Sequence, residues 1–333
     1  MERPSDGSET LVDKPSFLAR MFKDWDKSMI ITVTILLSAI ITLIFILIFC
    51  FLGEVDPDCT KTIPSDYKEC PIEGNFLFND DISDFFLDTQ LNESKWFDFG
   101  TTFLGSRIGS YFFASNNVKV KDGCLRLTAR KLKDSESENE ENKYRGFTKF
   151  ATSIVKSIKK VKYGYFEIRA KAMNANVANA FWLYDPLSDD LTTKFSTGNH
   201  SEEIDIFRLI GNYNNESDPS KYYYNNTVHL FKTPYVEAMI VDEEEVDGYN
   251  ISKHAEYDFY NDFHKWGFLW NESDLIWYLD DKLVCYRKND FFNRSLHITF
   301  DTEAIESTQL DESKEFKIDY FKYWELQEKF NPE

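Results

Sequence analysis

The segment from His200 to Asn212 reads HSEEIDIFRLIGN. Glu203 and Asp205 stand two residues apart, so in a strand both carboxyls project from one face. A site that works through carboxylates needs a further acid close by. The next position on that face is Phe207 in a regular strand and Arg208 if a bulge inserts one residue. Neither can give up a proton there, since a guanidinium stays charged at any working pH. Glu202 adjoins Glu203 and so faces the other side of the sheet.

The chain around this segment predicts strands to position it. Aromatic residues make up 17% of the 333 residues, with 30 Phe and 18 Tyr, while Gly (13) and Pro (9) are few. Short β-branched and aromatic runs are separated by Asn, Asp and Ser, which favours strands over helices. GCLRLTARK, GYFEIRAKA, EEIDIFRLI, NTVHLF, LHITFD and FKIDYFKYWEL all read as strands. LIWYLDDKLVCY reads as a hairpin turning at Asp280-Asp281-Lys282. The pattern alone predicts an all-β sandwich or jelly roll of two antiparallel sheets. A net charge of -19 argues against a nucleic-acid partner, which needs clustered Lys and Arg.

Met29 to Leu52 is a run of 24 residues without a charge, and about 20 apolar residues span a bilayer. Arg20, Lys23 and Lys27 precede it; Glu54, Asp56 and Asp58 follow. This bias predicts a single-pass membrane anchor with a cytoplasmic N-terminus and an extracellular or lumenal ectodomain. Seven Asn-x-Ser/Thr sequons, at Asn92, Asn199, Asn215, Asn225, Asn250, Asn271 and Asn293, all follow the span. Cys59 and Cys70 bracket a short polar stem and predict a small disulfide loop in an oxidising compartment. Cys124 and Cys285 are left to pair or to stay as buried thiols. The expected organisation is a cytoplasmic tail (1–28), a transmembrane helix (29–52), a stem (53–75), one domain (76–326) and a C-terminal tail (327–333). The acidic stretch from Lys133 to Lys143 reads as a solvated loop.

Six segments, in order, carry a resemblance to glycoside hydrolase family 16, the laminarinase and lichenase group. They are FNDDISDFFLDTQLNESKW, VKDGCLRLTAR, KYGYFEIRAK, NAFWLYD, FHKWGFLWNESDLIWYLDDKLV and FKIDYFKYWEL, spread over residues 76–326. The resemblance implies a jelly roll with a sugar-binding cleft on its concave sheet. It also implies a catalytic strand of the form Glu-x-Asp-x-Glu, or Glu-x-Asp-x-x-Glu when bulged. Carried over, Glu203 matches the nucleophile and Asp205 the middle acid. The acid/base position falls on Arg208 in the bulged register, which the following LIG favours, or on Phe207 otherwise. A retaining glycosidase needs two carboxyls about 5–5.5 Å apart, so the resemblance implies weak or absent hydrolysis. Trp182 matches a position lining the cleft and His229 one on the strand after the catalytic strand, both for substrate binding. No cofactor is required, although Asp319 matches a ligand of a structural calcium in some members.

Three functions follow as expectations. The first is a membrane-anchored domain that binds a β-linked polysaccharide or glycan with little turnover, with Arg208 expected to pair with Glu203 or Asp205. The second is an active hydrolase or transglycosylase working through Glu203 with a borrowed acid. The third is a structural or adhesive ectodomain.

Overall fold

The computed structural model describes residues 26–51, 59, 62–98, 110–112, 117–144, 147, 149–184, 200–210, 226, 228–232, 259–305 and 308–327. Two compact units divide the chain, residues 1–57 and 58–333. In the first, helix α1 (Lys27–Phe51) takes in the uncharged run as far as Phe51. Its side chains are described continuously from Ile31 to Leu43, and Ile31, Ile35, Leu37, Ile41 and Leu43 are exposed. Among the described residues no helix is long and apolar enough to cross a membrane.

Among its described residues the second unit is all-β apart from two short helices, α2 (Asp134–Ser137) and α3 (Glu140–Tyr144). Its strands are β1 (Phe76–Phe78), β2 (Trp96–Asp98), β3 (Ser110–Phe112), β4 (Val118–Lys121), β5 (Cys124–Lys131), β6 (Phe150–Val161), β7 (Gly164–Lys171) and β8 (Val177–Tyr184). They continue with β9 (His200–Ile210), β10 (Val228–Lys232), β11 (His264–Trp270), β12 (Asp274–Leu279), β13 (Lys282–Lys288), β14 (Leu296–Ala304) and β15 (Lys314–Leu326). Hydrogen-bonded neighbours run β10-β9-β8-β14-β6-β5-β15-β7-β11-β12-β13, and β5 meets β6 through two residue pairs, Arg130 with Ala151 and Lys131 with Phe150. The sheet thus curls over on itself, and its two halves pack face to face as a jelly roll.

Period-two alternation sends aromatic side chains from both halves into one core. Phe181 of β8, Phe207 of β9 and Phe300 of β14 point inward. Phe321 of β15 stands 5.8 Å from Phe181 and 5.5 Å from Phe300, ring centre to ring centre. Phe207 stacks on Trp266 of β11 at 4.6 Å. Offset and edge-on pairs of this kind add roughly 0.5–1.5 kcal/mol each beyond the area they bury. The predicted hairpin is β12–β13, and its turn residues Asp280 and Asp281 both have positive φ, 46° and 64°. That is the two-residue turn whose twist suits a hairpin.

Two sequence expectations change. The predicted loop at residues 133–143 is partly helical, because Arg130 holds Glu136 at 2.8 Å and draws its carboxyl below the usual range. The predicted Cys59–Cys70 bridge is replaced by Cys59–Cys124, with Cα atoms 5.9 Å apart, leaving Cys70 a free thiol. Tyr67 and Lys68 of the stem pack against the sandwich. Trp324 donates from Nε1 to the Lys68 carbonyl (2.8 Å), and the Tyr67 ring packs edge-on against Phe78 and Phe85. Packing the stem against the sandwich brings Cys59 to the β4–β5 turn at Cys124. Burial pushes the Cys70 thiol up to about 11.

Candidate active site

The register of β8, β9 and β14 defines the site. Along β8 and β9 the pairs are Tyr184 with Glu203, Trp182 with Asp205, then a register shift, then Phe181 with Phe207 and Ala180 with Arg208. Ile206 is therefore the extra residue of a bulge. The bulge turns Phe207 into the core and keeps Arg208 on the outward face with Glu203 and Asp205. Trp277 fixes the bulge from beneath, donating from Nε1 to the Asp205 carbonyl at 3.2 Å.

The same rows extend into β14, where Trp182 faces Thr299, Ala180 faces Asp301 and Ala178 faces Glu303. Directly opposed residues share a face. The outward surface therefore carries Glu203, Asp205, Arg208, Trp182, Tyr184, Asp301 and Glu303. Trp182 is half-buried and its ring lies 5.3 Å from that of Tyr184. His229 is paired with Glu203 across β9–β10; its side chain lies outside the described residues.

Arg208 does not pair along its own strand as expected. Its Nη2 lies 3.1 Å from Oε2 of Glu303, two strands away. The reason is the intervening strand, where Ala178 and Ala180 present only methyl groups and leave a trough for the guanidinium. Asp301 lies in the same trough, with Oδ1 sealed from solvent and without a hydrogen-bond partner. Burial is the main cause that drives its carboxyl well above the ordinary value. Repulsion from Glu303 adds to this and the nearby Arg208 opposes it, with Asp205 and Glu203 contributing further upward. The sheet therefore holds a carboxyl biased towards its protonated form on the face that carries Glu203 and Asp205.

Other expected site residues are structural or lie apart. Glu202 faces inward, fully buried, and accepts backbone hydrogen bonds from Asn293 (3.0 Å) and Arg294 (3.1 Å). Asp319 sits on β15 of the other half-sheet, where Arg169 donates to its Oδ2 at 2.8 Å. A guanidinium thus takes the place a cation would need, and the residues there do not fit calcium. Among the described residues no cluster of His, Cys, Asp and Glu could hold a metal. Of the sequon asparagines, Asn92, Asn271 and Asn293 lie in described loops or turns; Asn199, Asn215, Asn225 and Asn250 lie outside the described residues. Sequence reasoning missed Asp301 and Glu303, although acids two apart in LHITFDTEA carry the signal that singled out Glu203 and Asp205.

Comparison with known proteins accords with this geometry. The family described as "Beta-porphyranase A-D, GH16 domain" matches residues 76–326. Beta-porphyranase B of Zobellia galactanivorans is 26% identical over 61% of this chain and 66% of its own length. Beta-porphyranase D of the same organism is 30% identical over 59% of this chain and 44% of its own length. The chain thus spans two thirds or less of these relatives. The κ-carrageenase of Pseudoalteromonas carrageenovora, solved with an oligotetrasaccharide of κ-carrageenan, superposes with a TM-score of 0.58 at 19% identity. That likeness covers 77% of this chain and 98% of the other, and it bears on the fold. The finer likeness to laminarinases and lichenases gives way to the porphyranase group. With a curled jelly roll, outward carboxylates on β9 and this match, the chain belongs to the Beta-porphyranase A-D GH16 domain family.

Proposed function

We propose that this protein is a membrane-anchored glycoside hydrolase family 16 domain that binds a β-linked polysaccharide and turns it over weakly. One observation carries the reading. On the face where Glu203 and Asp205 lie, the bulged position holds Arg208, and its guanidinium is ion-paired with Glu303. The resemblance puts the acid/base Glu at that position, and an arginine cannot protonate a departing oxygen. General acid catalysis contributes about 10²–10⁴-fold, so its loss leaves binding in excess of turnover. Trp182 beside Tyr184 supplies an aromatic surface on which the apolar face of a sugar ring can stack.

Anchoring rests on the sequence: the run from Met29 to Leu52 carries no charge over 24 residues, and about 20 apolar residues span a bilayer. The basic residues before it and the sequons after it support a cytoplasmic N-terminus and a glycosylated ectodomain. Protease protection of the full chain in microsomes, with a glycosidase-sensitive gel shift, tests this topology.

The activity test is reducing-end release by the full chain from agarose, carrageenan, porphyran and laminarin, with calorimetric titration of oligosaccharides of each. Binding with slow release supports the reading. Rapid release abolished by Glu203→Gln would show that turnover is not impaired. Absence of binding to every glycan would favour a structural ectodomain.

A further inference from the structure

The outward face does not end at the trough. Trp182 faces Asp205 across β8 and β9, and Thr299 across β8 and β14. Thr299 in turn faces Lys156 of β6, and Lys156 faces Phe97 of β2. Directly opposed residues share a face, so Asp205, Trp182, Thr299, Lys156 and Phe97 form one row across β9, β8, β14, β6 and β2. Burial along β2 agrees with this placement. Trp96 is 1% exposed in the core, and the next residue, Phe97, is 46% exposed. The β2–β6 ladder runs one step further, with Ile158 donating its N–H to the Lys95 carbonyl at 2.7 Å. Ile158 therefore shares the face of Lys156, two residues before it, and it is also 46% exposed. The far edge of the row thus presents two apolar side chains with Lys156 beside them.

Scattered apolar residues on a surface need no explanation, whereas a patch continuous with a binding face does. Phe97 and Trp182 lie in one row, three strand spacings apart, which places their backbones roughly 14–15 Å from each other. A pyranose ring is about as long as one strand spacing, roughly 5 Å, so a single sugar on Trp182 stops well short of β2. We propose that Phe97 is an outlying stacking surface for the glycan chain taken by this face, with Ile158 widening it and Lys156 donating a hydrogen bond to the same sugar unit. The cleft would then select oligosaccharides long enough to reach from Trp182 to β2. This inference rests on the glycan-binding reading and names the length of chain it requires. The apolar face of a sugar stacks on an aromatic ring, and an ammonium offers donors to hydroxyl oxygens. Both aromatic residues stand on paired strands, so neither platform rests on a loop that must be ordered on binding. The second platform therefore adds affinity only for chains that span both.

The test is calorimetric titration of the full chain in detergent with agarose, carrageenan and laminarin oligosaccharides graded from disaccharide to octasaccharide. Wild-type affinity is expected to rise with length until the chain spans the row and then to level off. Phe97→Ala is expected to lower affinity for the octasaccharide by about three- to tenfold and to leave the disaccharide within about twofold of wild type. Trp182→Ala is expected to lower affinity at every length. Phe97→Leu keeps an apolar side chain but no ring and should also lose the gain with length, while Phe97→Trp should keep it. Thermal unfolding of each variant shows that the fold is intact. Three results overturn the proposal. The first is a length profile in Phe97→Ala and Phe97→Leu equal to that of wild type. The second is an equal loss at every length. The third is an unchanged profile with an altered oligomeric state by light scattering, which would make the patch a contact between copies of the chain. Wild type that binds short glycans with no gain on lengthening removes the outlying surface alone. Wild type that binds no glycan of any length removes the glycan-binding reading as well.

Discussion

Arg208 and Glu303 form an ion pair of 3.1 Å across a strand that belongs to neither of them. The pair spans β8 at Ala178 and Ala180, whose methyl groups leave the space above the sheet open. Both partners are about four-fifths buried, with side-chain exposures of 24% and 18%. At that depth the interaction is screened less than a surface pair, and it ties the guanidinium to β14.

Arg208→Glu should increase reducing-end release by about 10²–10⁴-fold. The carboxyl that this change introduces would face Glu303 and Asp301. Like charges disfavour ionisation, so the existing neighbours would keep the new acid protonated, as an acid/base residue requires. Steady-state rates on the best-bound glycan check this, and a variant as slow as wild type would count against an intact scaffold.

Trp277→Phe should destabilise the sandwich by about 1–3 kcal/mol, because the buried Asp205 carbonyl loses its indole donor. The bulge would relax with it, so oligosaccharide affinity should fall alongside stability. Denaturant unfolding and calorimetry on the same preparation check both. Unchanged affinity with lowered stability would mean that Trp277 supports the core and not the bulge.

Asp301→Asn should stabilise the protein at neutral pH and not at acid pH. The folded state keeps a proton on Asp301 that the unfolded chain releases above its ordinary value of 3.8. Stability is therefore fully present below that value and is lost as pH rises towards the raised folded one. The asparagine variant lacks this slope. Thermal unfolding at several pH values should show its advantage growing from pH about 4 upward.

Cys124→Ser should cost about 4 kcal/mol, the loop-closure value for a bridge spanning 65 residues. Cys70→Ser should leave the bridge intact. Peptide mapping under non-reducing conditions and thermal unfolding check the pairing. A Cys59–Cys70 peptide would restore the local loop expected from spacing.

The sequence by itself determined the strands and the hairpin, because alternating or short apolar-aromatic runs bounded by turn residues mark β5, β7, β9, β14 and β15. It also determined that Glu203 and Asp205 share a face and that the acid/base position of the resembled strand is not acidic. These are properties of one segment at a time. The tertiary structure decided what lies beside them. Whether Phe207 or Arg208 faces outward depends on a bulge, and the bulge on pairing with β8 and on Trp277 from β12. Asp301 and Glu303 are about a hundred residues from Asp205 in the chain, and only the β9-β8-β14 order brings them to one trough. The Cys59–Cys124 bridge is of the same kind. Local spacing favoured the nearer cysteine, but packing of Tyr67 and Lys68 against the sheet placed Cys59 beside the farther one.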